Sequence, residues 1–149
     1  VGMADIVGTQ VDYVKPHGAL YNDMMKSKDI RQTVMKSVAA MCQGKLPLMV
    51  QATSEHQEIK DEAKQHGVSL LFEAFSDRRY TDEGYLQSRQ IDGAVLSPQE
   101  ALVQAKQLIK QGTVTTASGA TLSIQADSLC VHGDTAGAVE IARQIRAYL

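Results

Sequence analysis

Strand and helix signals alternate along this chain, and that alternation restricts the folds open to it more than any other property. Residues 46–50 form a short apolar run. Ser54-Glu55-His56-Gln57 follows with the spacing of a capping box, Ser54 as N-cap and Gln57 reaching back. The helix it opens is expected to run to His66 and stop at Gly67. Residues 68–75 are then nearly continuous in apolar side chains, the pattern of a strand covered on both faces. Ser97-Pro98-Gln99-Glu100 starts another helix: Ser97 caps, Pro98 occupies N1 and Glu100 completes the box. Ala101, Leu102, Ala105, Leu108 and Ile109 give that helix an apolar face, and Gly112 ends it.

The same grammar extends to both ends. Residues 11–14 read as a buried strand closed by Lys15-Pro16-His17-Gly18, because proline lacks a ladder N–H and glycine marks a turn. Ile30, Val34, Val38 and Met41/Cys42 recur at helical spacing and predict a helix over 28–43, with Gly44 as its stop. Val114/Thr116 and Leu122/Ile124 flank Ser118-Gly119 with a period of two, which predicts a β-hairpin. Residues 128–131 form a last short strand, and Ala138, Ile141, Ile145 and Leu149 stripe a terminal helix. The fold class is therefore α/β: a largely parallel sheet with one β-hairpin and helices packed on it. Periodicity does not separate an open sheet from a closed barrel.

At 149 residues the chain has the size of a single domain, and its 44% hydrophobic content is enough for a core. A net charge of −2 with scattered basic residues argues against a nucleic-acid surface. No apolar run approaches the ~20 residues that span a bilayer, and no basic-then-apolar leader opens the chain. Cys42 and Cys130 lie far apart in apolar surroundings and read as reduced core thiols. These features suit a cytoplasmic soluble protein. Val1 is not an initiator methionine, so the chain is expected to be a processed or truncated piece of something longer.

Three polar clusters fall at predicted strand ends, the edge where parallel α/β folds bind ligands. They are Lys15/His17/Asn22, Glu73 with Asp77 and Arg78, and His132-Gly133-Asp134. Residues 76–97 join the second cluster to the next helix as a long polar connection, which in a compact domain is functional or mobile. Each cluster also has a plainer reading. His17 fits a satisfied loop histidine. Arg78 and Arg79 fit an ion-pair loop with Asp77 and Asp82. Asp134 fits the N-cap of the terminal helix. His56 and His66 are ten residues apart on one helix and read as surface residues. No metal motif, phosphate loop, dinucleotide fingerprint or nucleophile elbow is present. The available chemistry is acid–base work by histidine and carboxylate, with Lys and Arg orienting a carboxylate or phosphate.

The run Val14-Lys15-Pro16-His17-Gly18-Ala19-Leu20-Tyr21-Asn22 resembles the signature of the LamB/YcsF lactam-utilisation family, described as the A component of bacterial 5-oxoprolinase. The resemblance continues through Glu73-Ala74-Phe75-Ser76-Asp77-Arg78-Arg79-Tyr80, through Ser88-Arg89 with Gly93-Ala94-Val95-Leu96, and through Cys130-Val131-His132-Gly133-Asp134. It implies a partial β/α barrel of the glycoside hydrolase/deacetylase type. It also implies ATP-dependent opening of 5-oxoproline to glutamate, with ATP and Mg2+ in a complex with partner subunits B and C. Carried over, His17, Asp77 and His132 are the expected catalytic residues, with His17 or Asp77 as general base. Lys15, Asn22, Glu73, Arg78 and Asp134 are the expected substrate contacts; no metal ligand is expected. The family's Asp-Leu-Asn…Gly-Glu and Cys-Gly-Phe-His-Ala-Gly-Asp motifs do not occur here. The chain thus resembles the C-terminal portion of a longer barrel, a single domain over 1–149 with its N-terminal strands missing. Self-association through the uncovered face is expected. Two alternatives are a metal-dependent deacetylase or carbohydrate hydrolase, as in the family's fold relatives, and a non-catalytic assembly fragment.

Overall fold

The computed structural model describes residues 2–149. Val1, one of the grounds for the expectation of truncation, lies outside them. The chain divides into two compact units, one of residues up to Gln51 with Glu55–Phe72, the other of Ala52–Ser54 with Glu73–Leu149.

The first unit holds α1 (Gly2–Ile6), α2 (Gly18–Lys26), α3 (Lys28–Cys42), β1 (Leu48–Gln51) and α4 (His56–Gln65). The strand expected over 11–14 is reduced to a single parallel bridge, Val14 with Leu48. Val11 and Tyr13 are exposed, and an exposed run gains nothing from sheet burial. α2 is the element sequence periodicity did not mark. Gly18 opens it at φ +61, a left-handed conformation that glycine adopts without strain. Tyr21, Met24 and Met25 form its buried face.

α3 matches the expected span, and Val38 of the expected stripe is buried, but Arg31 and Met35 complete the buried face while Ile30 and Met41 are exposed. The polar residue in that stripe is satisfied: Arg31 meets Glu62 of α4 bidentately, Nε to Oε2 at 2.8 Å and Nη2 to Oε1 at 3.0 Å. The capping box at Ser54 does not form. Glu55 occupies the N-cap position without a side-chain cap bond, and Gln57 donates instead to Asp61 at 3.1 Å. Neither histidine of this helix is a free surface group. His56 packs edge-on against Phe72, ring centroids 4.8 Å apart, and the Nε2 of His66 is buried.

β2 (Leu70–Phe75) is the middle strand of a parallel sheet ordered β1-β2-β5. Its second half belongs to the second unit, with α5 (Pro98–Gln111), the hairpin β3 (Thr113–Thr115) and β4 (Thr121–Ser123), β5 (Ser128–Cys130) and α6 (Ala138–Tyr148). The Ser97 capping box forms as expected, with Glu100 returning its bond to the Ser97 N–H at 2.9 Å. Gly112 closes the helix at φ +62. The hairpin pairs antiparallel, Val114 opposite Leu122. Leu96, Ala101, Ala105, Ile141 and Ile145 form a core between α5 and α6. Ile109 and Leu149, both expected inside, are exposed. Both cysteines are half-buried and neither is in a disulfide.

Candidate functional site

β2 and β5 set the site by register. They pair in parallel with Glu73 opposite Ser128, Ala74 opposite Leu129 and Phe75 opposite Cys130. Asp77 and His132 therefore each lie two residues past a paired position, on neighbouring strands running the same way. The Ser76 N–H and hydroxyl both donate to the Cys130 carbonyl at 3.0 Å and carry the alignment past the strand ends.

Asp77 is completely buried. Its carboxylate accepts from the His132 main-chain N–H at 2.9 Å, from the Thr135 hydroxyl, and lies 3.0 Å from His132 Nδ1. Burial alone pushes this carboxyl up. The bonds from His132 and Thr135 together outweigh burial and hold it below the usual carboxylate range. An ionised carboxylate only accepts, so the proton sits on Nδ1, and Nε2 of the neutral ring keeps its lone pair. The His132 side chain is 25% exposed against 0% for Asp77, so the imidazole, not the carboxylate, is open to a reactant. Its ring stacks on Phe75 at 5.5 Å.

Asp77 does not pair with Arg78, and Asp134 does not cap α6. The N-cap of α6 is Gly137, without a side-chain bond, while Asp134 accepts from Arg89 at 2.9 Å. Arg79 binds Glu100 and the Gly93 carbonyl, each at 2.9 Å. Asp82 accepts from Thr116 and Ser118. The ion-pair loop expected among Asp77, Arg78, Arg79 and Asp82 is thus replaced by four separate arrangements. Bridges of Arg78 with Val95 and of Tyr80 with Leu86 tie the 76–97 connection together. Tyr80, fully buried, accepts the Phe75 N–H at 2.9 Å, and burial pushes its hydroxyl well above its ordinary pKa.

Glu73 is buried within β2. Lys15, His17 and Asn22 belong to the other unit. Lys15 lies half-buried, its Nζ 5.8 Å from the Tyr21 ring centroid. His17 is exposed at the N-cap position of α2 without a side-chain cap bond. Asn22, exposed on α2, donates to the Gly18 carbonyl at 3.3 Å. Within the second unit, Asp77 of the second expected cluster meets His132 of the third.

Two supporting residues escaped sequence reasoning. Thr135 follows His132 by three positions with no motif to mark it. Gln104 did leave a signal, a polar side chain within the Ala101/Ala105/Leu108 stripe of α5. Its Nε2 donates to the carbonyls of Phe75, Ser76 and Arg78 at 2.8, 3.2 and 2.7 Å, gripping the backbone on both sides of Asp77.

An α/β protein with a carboxylate-held, partly exposed histidine at adjoining parallel strand ends is equipped for proton transfer. The chain belongs to the LamB/YcsF family, whose model matches residues 1–149. It is similar to the A component of 5-oxoprolinase from Vibrio cholerae serotype O1, 47% identical over 141 residues, covering 94% of this chain and 56% of that protein. It is also similar to the second of the 5-oxoprolinase A components of Pseudomonas putida, 44% identical over 149 residues, covering 99% and 57%. A lactam utilization protein from Thermus thermophilus, known from its crystal structure, aligns with TM-score 0.80 and 31% identity over 97% of this chain and 56% of that one. The chain thus spans about half the length of the curated relatives it matches. No helix among the described residues is long and apolar enough to cross a membrane.

Proposed function

We propose that this chain supplies part of a 5-oxoprolinase, a hydrolase that opens the cyclic amide of 5-oxoproline to glutamate, with His132 as general base. The observation that carries the reading is a buried, multiply bonded Asp77 holding Nδ1 of a partly exposed imidazole. His132 Nε2 takes a proton from water as the water oxygen bonds to the lactam carbonyl carbon. Asp77 stabilises the imidazolium that forms and fixes its orientation. The ring C–N bond then breaks, and the imidazolium proton passes to the departing nitrogen. Asp77 is engaged by three groups, so we assign it this holding role and assign the base to His132 in preference to His17 or Asp77.

Dependence on ATP and on partner subunits B and C is part of the same proposal. A lactam is a stable amide, and phosphorylating its oxygen would make the carbon electrophilic. No group of three His, Cys, Asp or Glu among the described residues suits a divalent ion. Mg2+ accompanying ATP would take most of its ligands from phosphate and water, so ATP and Mg2+ belong to the proposal for the complete complex. Parallel pairing with polar groups past the strand ends supports reading the sheet as part of a β/α barrel.

Glutamate release from 5-oxoproline by the complete protein with its partner subunits tests the reading. His132→Ala and Asp77→Asn are each expected to lower kcat by about 10²–10⁴-fold, with circular dichroism unchanged. Wild-type rates in both variants would sink it.

A further inference from the structure

Arg78 is 7% exposed. Its Nη2 donates to the Gln87 carbonyl at 2.7 Å, but its Nε is buried without a partner. Among the described residues no carboxylate forms an ion pair with it. The two acids whose charges reach it are committed elsewhere: Asp77 to His132 and Thr135, Asp134 to Arg89. Burial lowers the proton affinity of this guanidinium, and the positive charge of Arg89 lowers it further. A second orphan lies in the same bonded pair of residues, for Gln87 Oε1 is also buried and unpartnered. A cationic donor and a neutral acceptor thus meet at the Gln87 main chain, each lacking its complement. Buried groups of this kind are costly unless something completes them.

We propose that Arg78 and Gln87 form an oxyanion-recognition subsite: Arg78 binds a small carboxylate or phosphoryl group and Gln87 Oε1 accepts an N–H next to it. Resting on the lactam-opening reading, the ligand is 5-oxoproline, whose carboxylate is carried by the carbon bonded to the ring N–H. Arg78 supplies a planar fork that a lysine cannot reproduce. The same fork would also accept a phosphoryl group, and that source is separable by experiment.

The test is titration of the full chain with 5-oxoproline, with 2-pyrrolidinone, which is the same ring without the carboxylate, and with inorganic phosphate. Wild type is expected to bind 5-oxoproline at least about tenfold tighter than 2-pyrrolidinone. Arg78→Lys removes that margin and leaves 2-pyrrolidinone binding unchanged. Gln87→Leu weakens both lactams and spares phosphate. Equal affinity of wild type for the two lactams overturns the oxyanion site and leaves the lactam reading standing; this comparison needs no variant. Arg78-dependent binding of phosphate with no binding of either lactam upholds the oxyanion site, identifies its ligand as phosphoryl and overturns the lactam reading. Unchanged lactam affinity in Gln87→Leu overturns the Gln87 assignment, and silence toward all three ligands overturns the whole subsite.

Discussion

The two buried arginines, Arg31 and Arg78, are almost equally enclosed, at 5% and 7% exposure, and are treated oppositely by their surroundings. Four of the five donors of Arg31 are met, two by Glu62 and two by the carbonyls of Met24 and Met25 at 3.2 Å. The bond to Glu62 raises the proton affinity of Arg31, and the bond to Arg31 in turn holds the Glu62 carboxyl low. Arg78 shifts the other way, through burial first and Arg89 second. A cation whose partners are all in the chain is scaffold. One left incomplete is maintained for something the chain does not contain, as expected where a fold departs from its own rules.

Stability separates the two most sharply. Arg31→Met leaves Glu62 buried, with only the half-exposed Lys28 ammonium at 3.2 Å to answer it. The expected loss is about 3 kcal/mol or more, read from urea midpoints. Arg78→Met removes a buried charge that has no ion-pair partner, so its stability is expected to stay within about 1 kcal/mol of wild type. Equal losses in the two variants would erase the distinction.

Acid gives a smaller, graded contrast. Asp77 and Glu62 both titrate below the ordinary carboxyl range in the folded chain. Each therefore adds stability that is present above the unfolded-state value of about 4 and disappears as pH falls through the lower folded value. Urea midpoints measured from neutral pH down to strongly acidic pH are expected to drop below about pH 4. Asp77→Asn and Glu62→Gln each flatten that drop, and an unaltered acid slope in either variant would disconnect that carboxylate from folding.

The smallest effect concerns the two helix starts. Ser97→Ala is expected to cost about 1 kcal/mol, because its hydroxyl takes part in a closed box. Ser54→Ala, where no box forms, is expected to change stability by less than about 0.5 kcal/mol.

These helix starts also show what the sequence could and could not reveal. Both have box spacing. At Ser97, Pro98 presets the first turn, and the local signal agrees with the outcome. At Ser54 the chain is still leaving β1 through buried Ala52 and Thr53, and tertiary placement overrides spacing. The β-hairpin and the spans of α3 and α5 were legible because their signals are local. α2 was not, because Pro16 and Gly18 looked like the end of a strand. The site followed the same division. Asp77 and His132 were identifiable as residues beyond strand ends. Their contact depends on a parallel pairing across 55 positions, Phe75 with Cys130, which no local pattern encodes. Polar residues interrupting apolar helical stripes proved the overlooked clue, at Arg31 in α3 and at Gln104 in α5.

Gln104 has a thermal consequence. One amide group shares its two hydrogens among three carbonyls on either side of Asp77, so the exit of β2 has no independent way to fray. Opening that stretch means freeing it from α5, and α5 is held by its own cap and by its core with α6. Amide protons flanking Asp77 are thus expected to exchange with solvent at the pace of α5, as one cooperative unit and not as a surface loop.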